Sequence, residues 1–152
     1  MTLTRRVVNA ILHGLTGALC RVDADQISQI PERGPLILVA NHVNFVEIPV
    51  LYTRMGARPL MALTKTETFD SLLMRAVFDL SRAIPVRRGK ADTTAIRRAS
   101  EALKTGHILT VFPEGTRSGD GRLRRGHPGV ALLAVRTGAP LLPMASRGGE
   151  CF

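Results

Sequence analysis

Residues 36–40 read Leu-Ile-Leu-Val-Ala, an unbroken apolar run that follows Gly34 and Pro35 and ends at Asn41. A short run with no alternation of polar and apolar side chains is typical of a strand buried on both faces, as in a parallel sheet. Residues 108–112, Ile-Leu-Thr-Val-Phe, form a second run of this type. Strands of this kind need helices to cover both faces, so the two runs favour a layered α/β fold.

Helix and strand candidates alternate over the rest of the chain. The apolar spacing and the Gly and Pro positions predict further strands at residues 60–63, 83–86 and 141–144, and helices from residue 48 and over residues 71–80, 92–104 and 130–136. The clearest helix is 92–104, where Asp92 can cap the start and Gly106 follows the end. We therefore expect an α/β domain with a mostly parallel central sheet flanked by helices.

The N-terminal segment, residues 1–21, has the pattern of an amphipathic helix, and residues 22–152 form the predicted main domain. One face of such a helix collects Val7, Val8, Ile11, Leu12, Leu15 and Leu19, and the segment is bracketed by Arg5, Arg6 and Arg21. The pattern predicts a helix that lies in the plane of a membrane interface, with its arginines at lipid phosphates. The alternative is a helix that packs its apolar face on its own core. No run approaches the roughly 20 apolar residues that span a bilayer.

Basic residues outnumber acidic ones by 21 to 12, which gives a net charge of +9 with His neutral. This excess favours polyanionic partners, namely nucleic acid, an anionic bilayer or a phosphorylated substrate. The sequence has no zinc-binding pattern, RNA-binding aromatic motif or helix-turn-helix signature, so we do not expect nucleic acid to be a partner. The two cysteines, Cys20 and Cys151, lack metal-type spacing and are interpreted as unpaired thiols.

Polar clusters follow the two apolar runs, at strand ends where open α/β sheets place their ligands. In the first, Glu47 comes five residues after His42, a spacing that suits a loop running into a helix. An imidazole and a carboxylate can act as a general base and its orienting acid, although such a pair on its own is more often a surface arrangement. The second cluster, residues 112–118, reads Phe-Pro-Glu-Gly-Thr-Arg-Ser. Its arginine and its turn amides can bind phosphate.

In this order, these segments resemble the four sequence blocks of the glycerolipid acyltransferase superfamily, specifically the bacterial 1-acyl-glycerol-3-phosphate acyltransferases. Residues 41–47 resemble the block that carries the catalytic His and its acid. Residues 84–89, Ile-Pro-Val-Arg-Arg-Gly, resemble the second block; residues 112–118 match the third almost letter for letter; and residues 139–143, Ala-Pro-Leu-Leu-Pro, resemble the fourth. The resemblance runs from about Gly34 to the end of the chain and implies a glycerol-3-phosphate acyltransferase-like fold.

The resemblance implies an O-acyltransferase that moves a fatty acyl group from acyl-CoA or acyl-carrier protein to the free hydroxyl of 1-acyl-glycerol-3-phosphate (lysophosphatidic acid), giving phosphatidic acid. By position, His42 is the expected general base and Glu47 its orienting acid, and transfer is direct, with no acyl-enzyme, cofactor or metal. The expected phosphate-binding residues are Arg87, Glu114, Gly115, Thr116 and Arg117. The expected location is peripheral or monotopic, on the cytoplasmic face of an anionic cell membrane. The alternatives are another lysophospholipid acceptor, or a non-catalytic lipid-binding relative.

The sequence departs from the family pattern in two places. The family acid is usually Asp, whereas this chain has Glu47, whose extra methylene moves the carboxylate relative to His42. We expect the backbone to compensate, because the rest of the site is intact; the alternative is a misaligned pair with low activity. The chain also ends shortly after the fourth block, which leaves a naturally short protein and a C-terminally truncated fragment as alternatives.

Overall fold

Five parallel strands form a central sheet with helices on both faces in the part of the chain that the structure describes. This computed structural model describes residues 3–19, 21–23, 25, 27, 30–55, 58–66, 82–87 and 92–148. In chain order the elements are α1 (Leu3–Leu19), β1 (Leu36–Ala40), α2 (Glu47–Arg54), β2 (Leu60–Lys65), β3 (Ile84–Val86), α3 (Thr93–Lys104), β4 (Ile108–Val111), α4 (Gly129–Thr137) and β5 (Leu141–Met144). The expected α/β fold with a mostly parallel sheet is confirmed.

The strand order is β3-β2-β4-β1-β5, and every neighbouring pair is parallel. β1 lies between β4 and β5, so Val39 is paired with Val111 on one side and with Pro143 on the other. Because the strands all run in the same direction, their carboxyl ends meet at one edge of the sheet. The segments that follow β1, β4 and β5 therefore leave the sheet side by side.

The two faces of the central strands bury different residues, as the continuous apolar runs predicted. On one face, Leu36, Leu38, Leu60 and Ile108 pack against Leu51 of α2 and against Met55, which directly follows α2. The opposite face holds Ile37, Leu109 and Val111 together with Ala95, Ala99 and Leu103 of α3 and Leu133 of α4. Complete burial of a Leu or Ile side chain contributes about 1.5 to 3 kcal/mol. These two apolar layers give the loops at the sheet edge a rigid base.

The described helices and strands begin and end within two residues of the predicted positions. Asp92 caps α3, because its side chain accepts a hydrogen bond from the N–H of Ala95 at 3.0 Å. Gly138 ends α4 in the left-handed conformation, with φ at 66°. The predicted helix at residues 71–80 lies outside the described residues, as do Cys20, Arg88 and Cys151.

α1 packs against α2, and its Thr16 is buried. The apolar residues of α1 divide into two groups: Val8 and Leu12 are half-buried, whereas Val7, Ile11, Leu15 and Leu19 are between 50% and 71% exposed. The second group recurs every four residues and forms an outward-facing stripe, which we call the α1 stripe. No described helix is both long enough and apolar enough to cross a membrane.

Candidate active site

The two polar clusters of the sequence meet at the carboxyl edge of the sheet. β1 and β4 are paired in register from Leu36 with Ile108 to Val39 with Val111, so the loops that follow them emerge together. The N–H of Ser118 donates to the carbonyl oxygen of His42 at 2.7 Å, which joins the two loops directly. The clusters after β1 and β4 therefore form a single site.

His42 and Glu47 form the central pair of this site. Nδ1 of His42 lies 2.7 Å from Oε2 of Glu47, and only 16% and 7% of the two side chains is exposed. His42 lies in the loop after β1, and Glu47 is the first residue of α2. The loop-to-helix arrangement expected from the five-residue spacing is present, and the extra methylene of the glutamate does not separate the pair.

The second carboxylate oxygen of Glu47, Oε1, accepts three hydrogen bonds. The N–H groups of Val43 and Asn44 lie 2.8 and 3.0 Å from Oε1, and the hydroxyl of Ser146 lies 3.0 Å from it. Burial raises the pKa of Glu47, but the hydrogen bonds from His42, Val43 and Asn44 and the charge interaction with His42 outweigh burial and lower the pKa overall. Glu47 is therefore ionised at neutral pH and can accept an imidazole N–H.

The bond to Glu47 determines which imidazole nitrogen is available for chemistry. An ionised carboxylate only accepts hydrogen bonds, so Nδ1 of His42 is the donor, and in the neutral imidazole the lone pair is then on Nε2. Phe112 stacks on the imidazole, with ring centroids 4.2 Å apart and an angle of 26° between the ring planes. A neutral imidazole held in this way can remove a proton from a hydroxyl group.

Glu114 is buried, and its carboxylate binds main-chain groups. Oε1 accepts a hydrogen bond from the N–H of His42 at 3.2 Å, and Oε2 accepts one from the N–H of Arg124 at 3.0 Å. The guanidinium of Arg124 donates to the carbonyl oxygen of Ser118 at 3.1 Å. Glu114 thus links the His42 loop to the loop of residues 112–128. Its charge repels a phosphate, so direct phosphate contact is electrostatically unfavourable at this position.

The turn that follows Glu114 requires a glycine. Gly115 has a φ of +64°, and a Cβ at this position would lie 3.2 Å from the imidazole Cδ2 of His127. The N–H of His127 also donates to the carbonyl oxygen of Pro113 at 2.8 Å, so the loop folds back over the turn. Thr116 and Arg117, the next residues, are exposed, which makes their side chains accessible to a ligand.

Arg87 lies farther along the same sheet edge. It follows β3, which β2 and β4 separate from β1, and three inter-strand spacings amount to roughly 14 Å. The side chain of Arg87 is 69% exposed, and its Nε lies 3.5 Å from Oδ2 of Asp92. The N–H groups of Arg87 and Ala95 donate to Asp92 and lower its pKa, with a smaller effect from the Arg87 charge. The fold brings His42, Glu47 and Glu114 together and leaves Arg87 as a separate basic group.

The match to known proteins covers the whole of this site. The family model described as Acyltransferase matches residues 21–147. The chain belongs to the acyltransferase family. His42, Glu47, Arg87 and residues 112–118 all lie within the matched range.

Individual acyltransferases are similar to the chain over most of its length. A chloroplastic 1-acyl-sn-glycerol-3-phosphate acyltransferase from Brassica napus is 28% identical over 132 residues, which is 84% of this chain and 38% of that protein. The lyso-ornithine lipid O-acyltransferase of Pseudomonas aeruginosa is 34% identical over 122 residues, or 79% and 46% of the two chains. The crystal structure of the 1-acyl-sn-glycerophosphate (LPA) acyltransferase PlsC from Thermotoga maritima matches with a TM-score of 0.70 at 26% identity, over 91% of this chain and 57% of that chain. The chain spans less than half the length of the two curated relatives.

The sequence analysis did not predict the part that Ser146 plays in this site. It also did not predict that the side chain of Asn41 bonds to Ser146. The N–H of Ser146 donates to Oδ1 of Asn41 at 2.7 Å, and Nδ2 of Asn41 donates to the carbonyl oxygen of Ser146 at 2.9 Å. The sequence signal for Ser146 is its place two residues beyond β5, at the edge where parallel strands present their ligands. Within the described ranges, no three His, Cys, Asp or Glu side chains gather in positions that suit a metal ion.

Proposed function

We propose that the chain transfers a fatty acyl group from a thioester donor, acyl-CoA or acyl-carrier protein, to the free hydroxyl of 1-acyl-glycerol-3-phosphate. The observation that carries this proposal is the 2.7 Å contact between Nδ1 of His42 and Oε2 of Glu47. With Nδ1 bonded to Glu47, Nε2 is the nitrogen that carries the lone pair when the imidazole is neutral. The similarity to several acyltransferases that act on lysophosphatidic acid supports the choice of acceptor.

In the proposed reaction, Nε2 of His42 removes the proton of the acceptor hydroxyl while the hydroxyl oxygen attacks the thioester carbonyl. The new C–O bond forms, the C–S bond breaks, and the proton passes from the imidazolium to the leaving thiolate. Glu47 holds the imidazole and stabilises its positive charge during the transfer. The products are a diacyl ester and a free thiol, and transfer is direct, without an acyl-enzyme, cofactor or metal.

The phosphate of the acceptor is recognised, in this proposal, by the turn of residues 115–117. Gly115 lets the main chain adopt the turn, and the exposed Thr116 and Arg117 supply a hydroxyl and a guanidinium. Glu114 contributes by holding the turn and the His42 loop, since both of its oxygens accept main-chain N–H groups. Arg87 provides a further positive charge along the edge for the substrate phosphates.

A lyso-ornithine lipid is the second candidate acceptor. The observation that favours it is the 34% identity to an enzyme named for that acceptor, which exceeds the 28% identity to the plant enzyme. An ornithine lipid has no phosphate, so Arg117 has no phosphate to bind in that case. The two acceptors are therefore separated by comparing them directly with the parent chain and an Arg117 variant.

We further propose that residues 1–21 anchor the domain of residues 22–152 to the cytoplasmic face of an anionic membrane, in a peripheral or monotopic manner. The exposed α1 stripe supports this, because four large apolar side chains facing outward on one helix are suited to the acyl boundary of a bilayer. The net charge of +9 supports attraction to anionic lipids. Both candidate acceptors, lysophosphatidic acid and a lyso-ornithine lipid, are amphiphiles that partition into such a surface.

The proposed function is tested by thiol release from acyl-CoA with and without lysophosphatidic acid, with the lipid product identified by mass spectrometry. We expect acceptor-dependent release and a phosphatidic acid product from the parent, and a loss of roughly 10² to 10⁴ in rate for His42→Ala. Arg136→Ala is the control, because Arg136 is an exposed basic residue in the last turn of α4, outside the site. Acyl-carrier protein replaces CoA in a parallel series.

Different results separate the alternatives. Full activity in His42→Ala contradicts the mechanism, and thiol release that does not depend on an acceptor indicates hydrolysis. Transfer to a lyso-ornithine lipid but not to lysophosphatidic acid identifies the lyso-ornithine lipid as the acceptor. Binding to lysophosphatidic acid vesicles that survives His42→Ala, with no turnover by the parent on either donor, indicates a non-catalytic lipid-binding protein.

A further inference from the structure

Ser146 connects the end of β5 to the acid of the central pair. β5 is paired with β1 so that Met144 lies opposite Ala40, which places residues 146 and 41 next to each other beyond the strand ends. Asn41 and Ser146 exchange two hydrogen bonds of 2.7 and 2.9 Å across 105 positions of sequence. This exchange holds the main chain of Ser146 directly beside the residue that precedes His42.

The hydroxyl of Ser146 donates to Oε1 of Glu47 at 3.0 Å. Val43 and Asn44 donate to the same oxygen from the His42 loop, whereas Ser146 donates from the segment that follows β5. With Oε1 held from two separate elements, Oε2 is left for Nδ1 of His42. The carboxylate plane is therefore determined by contacts that lie outside the imidazole itself.

A glutamate needs more such contacts than an aspartate, because it has one more torsion angle and its terminal torsion is broad. Fixing that torsion costs side-chain entropy, which the additional hydrogen bond offsets. We propose that Ser146, held by Asn41, is a positioning residue that fixes the carboxylate of Glu47 against His42. The positioning role is argued from the contacts alone, and only its expected effect on kcat rests on the proposed acyl transfer.

The kinetic test compares Ser146→Ala and Ser146→Thr with the parent. Loss of a hydrogen bond to a charged group is expected to lower kcat about 10-fold in Ser146→Ala, while KM for donor and acceptor stays within about twofold. Ser146→Thr, which keeps the hydroxyl, is expected to restore most of the kcat. Ser100→Ala is the matched control, because this buried serine donates to the carbonyl of Ile96 within α3. Equal kcat values for Ser146→Ala and the parent overturn the proposal. A kcat in Ser146→Thr as low as that in Ser146→Ala overturns it as well.

A second measurement does not depend on turnover. The Nδ1–H proton of His42, bonded to Glu47, is expected to give a downfield NMR resonance in the full chain that is absent from Glu47→Gln. In Ser146→Ala this proton is expected to exchange with water several-fold faster than in the parent or in Ser100→Ala. An unchanged exchange rate overturns the positioning role. A parent that shows the resonance and the Ser146 effect but no acyl transfer retains the positioning role and loses the proposed function.

Discussion

Glu114 holds the main chain of His42, because its Oε1 accepts the N–H of His42 at 3.2 Å across 72 positions of sequence. Its other oxygen accepts the N–H of Arg124 at 3.0 Å. One buried carboxylate thus determines the relative position of the loop that carries the imidazole and the loop that carries Arg117. The placement of the base depends on this contact as well as on Glu47.

Replacing Glu114 with Gln is expected to lower the free energy of unfolding by about 1.5 to 3 kcal/mol. The amide keeps one oxygen that accepts a hydrogen bond. Its NH2 group replaces the other oxygen and cannot accept a hydrogen bond from the main-chain N–H that faces it. Glu101→Gln is the control, because Glu101 is an exposed glutamate of α3 paired with Arg97, and such pairs contribute little. Urea unfolding followed by circular dichroism at pH 7 measures both. Equal stability of Glu114→Gln and the parent contradicts the prediction.

Shortening Glu47 to Asp is expected to lower kcat by roughly 10- to 100-fold, because the carboxylate retreats from its present contacts by about one C–C bond. It then cannot contact both Nδ1 of His42 and the donors to Oε1 from the same backbone position. Steady-state transfer assays with saturating donor and acceptor measure kcat, and Glu101→Asp provides a matched change outside the site. A kcat at or above that of the parent would show that the backbone of α2 adapts to either acid.

Arg117→Ala is expected to raise KM for lysophosphatidic acid about 10-fold or more, because a charge-assisted bond to phosphate is lost. KM for the acyl donor is expected to change less. Arg136→Ala removes the same charge at the far end of α4 and corrects for the net charge of the chain. If Arg117→Ala and Arg136→Ala raise KM for the acceptor equally, Arg117 has no specific role in phosphate binding.

The stability difference between the parent and Glu47→Gln is expected to depend on pH. Folding lowers the pKa of Glu47 from its ordinary value of 4.5, so the ionised carboxylate contributes stability in full above that value. This contribution is lost as the pH falls through the lowered pKa, because Glu47 becomes protonated. The difference in the free energy of unfolding is therefore expected to shrink between pH 6 and pH 3. A difference that stays constant over this range contradicts a lowered pKa.

Ile11→Glu is expected to weaken binding to anionic phospholipid vesicles, because it places a charge in the middle of the α1 stripe. Val135→Glu is the matched control, since Val135 is an apolar residue of α4 that is 86% exposed. Co-sedimentation with vesicles at low and high salt measures binding and its electrostatic part. If vesicle binding falls equally in both variants, or does not fall in Ile11→Glu, α1 is not the membrane contact.

Fold class and most element positions were predictable because they depend on local patterns. The apolar run at 36–40 required cover on both faces, and Asp92 and Gly138 marked helix ends through capping and a left-handed turn. The apolar positions of α1 were predictable from helical spacing, but which of them face α2 was not. α1 packs on α2, with Val8 and Leu12 half-buried and the α1 stripe exposed, and a helical wheel contains no information about that neighbour.

The sequence determined the strands, the helix caps, the His42 and Glu47 pair as candidates, and the turn that needs Gly115, because each of these follows from residues close together in the chain. Only the tertiary structure decided that Glu114 binds main-chain N–H groups and that Ser146 donates to Glu47. The bond from His42 to Glu114 and the bond from Ser146 to Glu47 join residues 72 and 99 positions apart. They exist because the parallel order β4-β1-β5 brings three strand ends to one edge, and strand order is set by packing between distant segments rather than by local pattern.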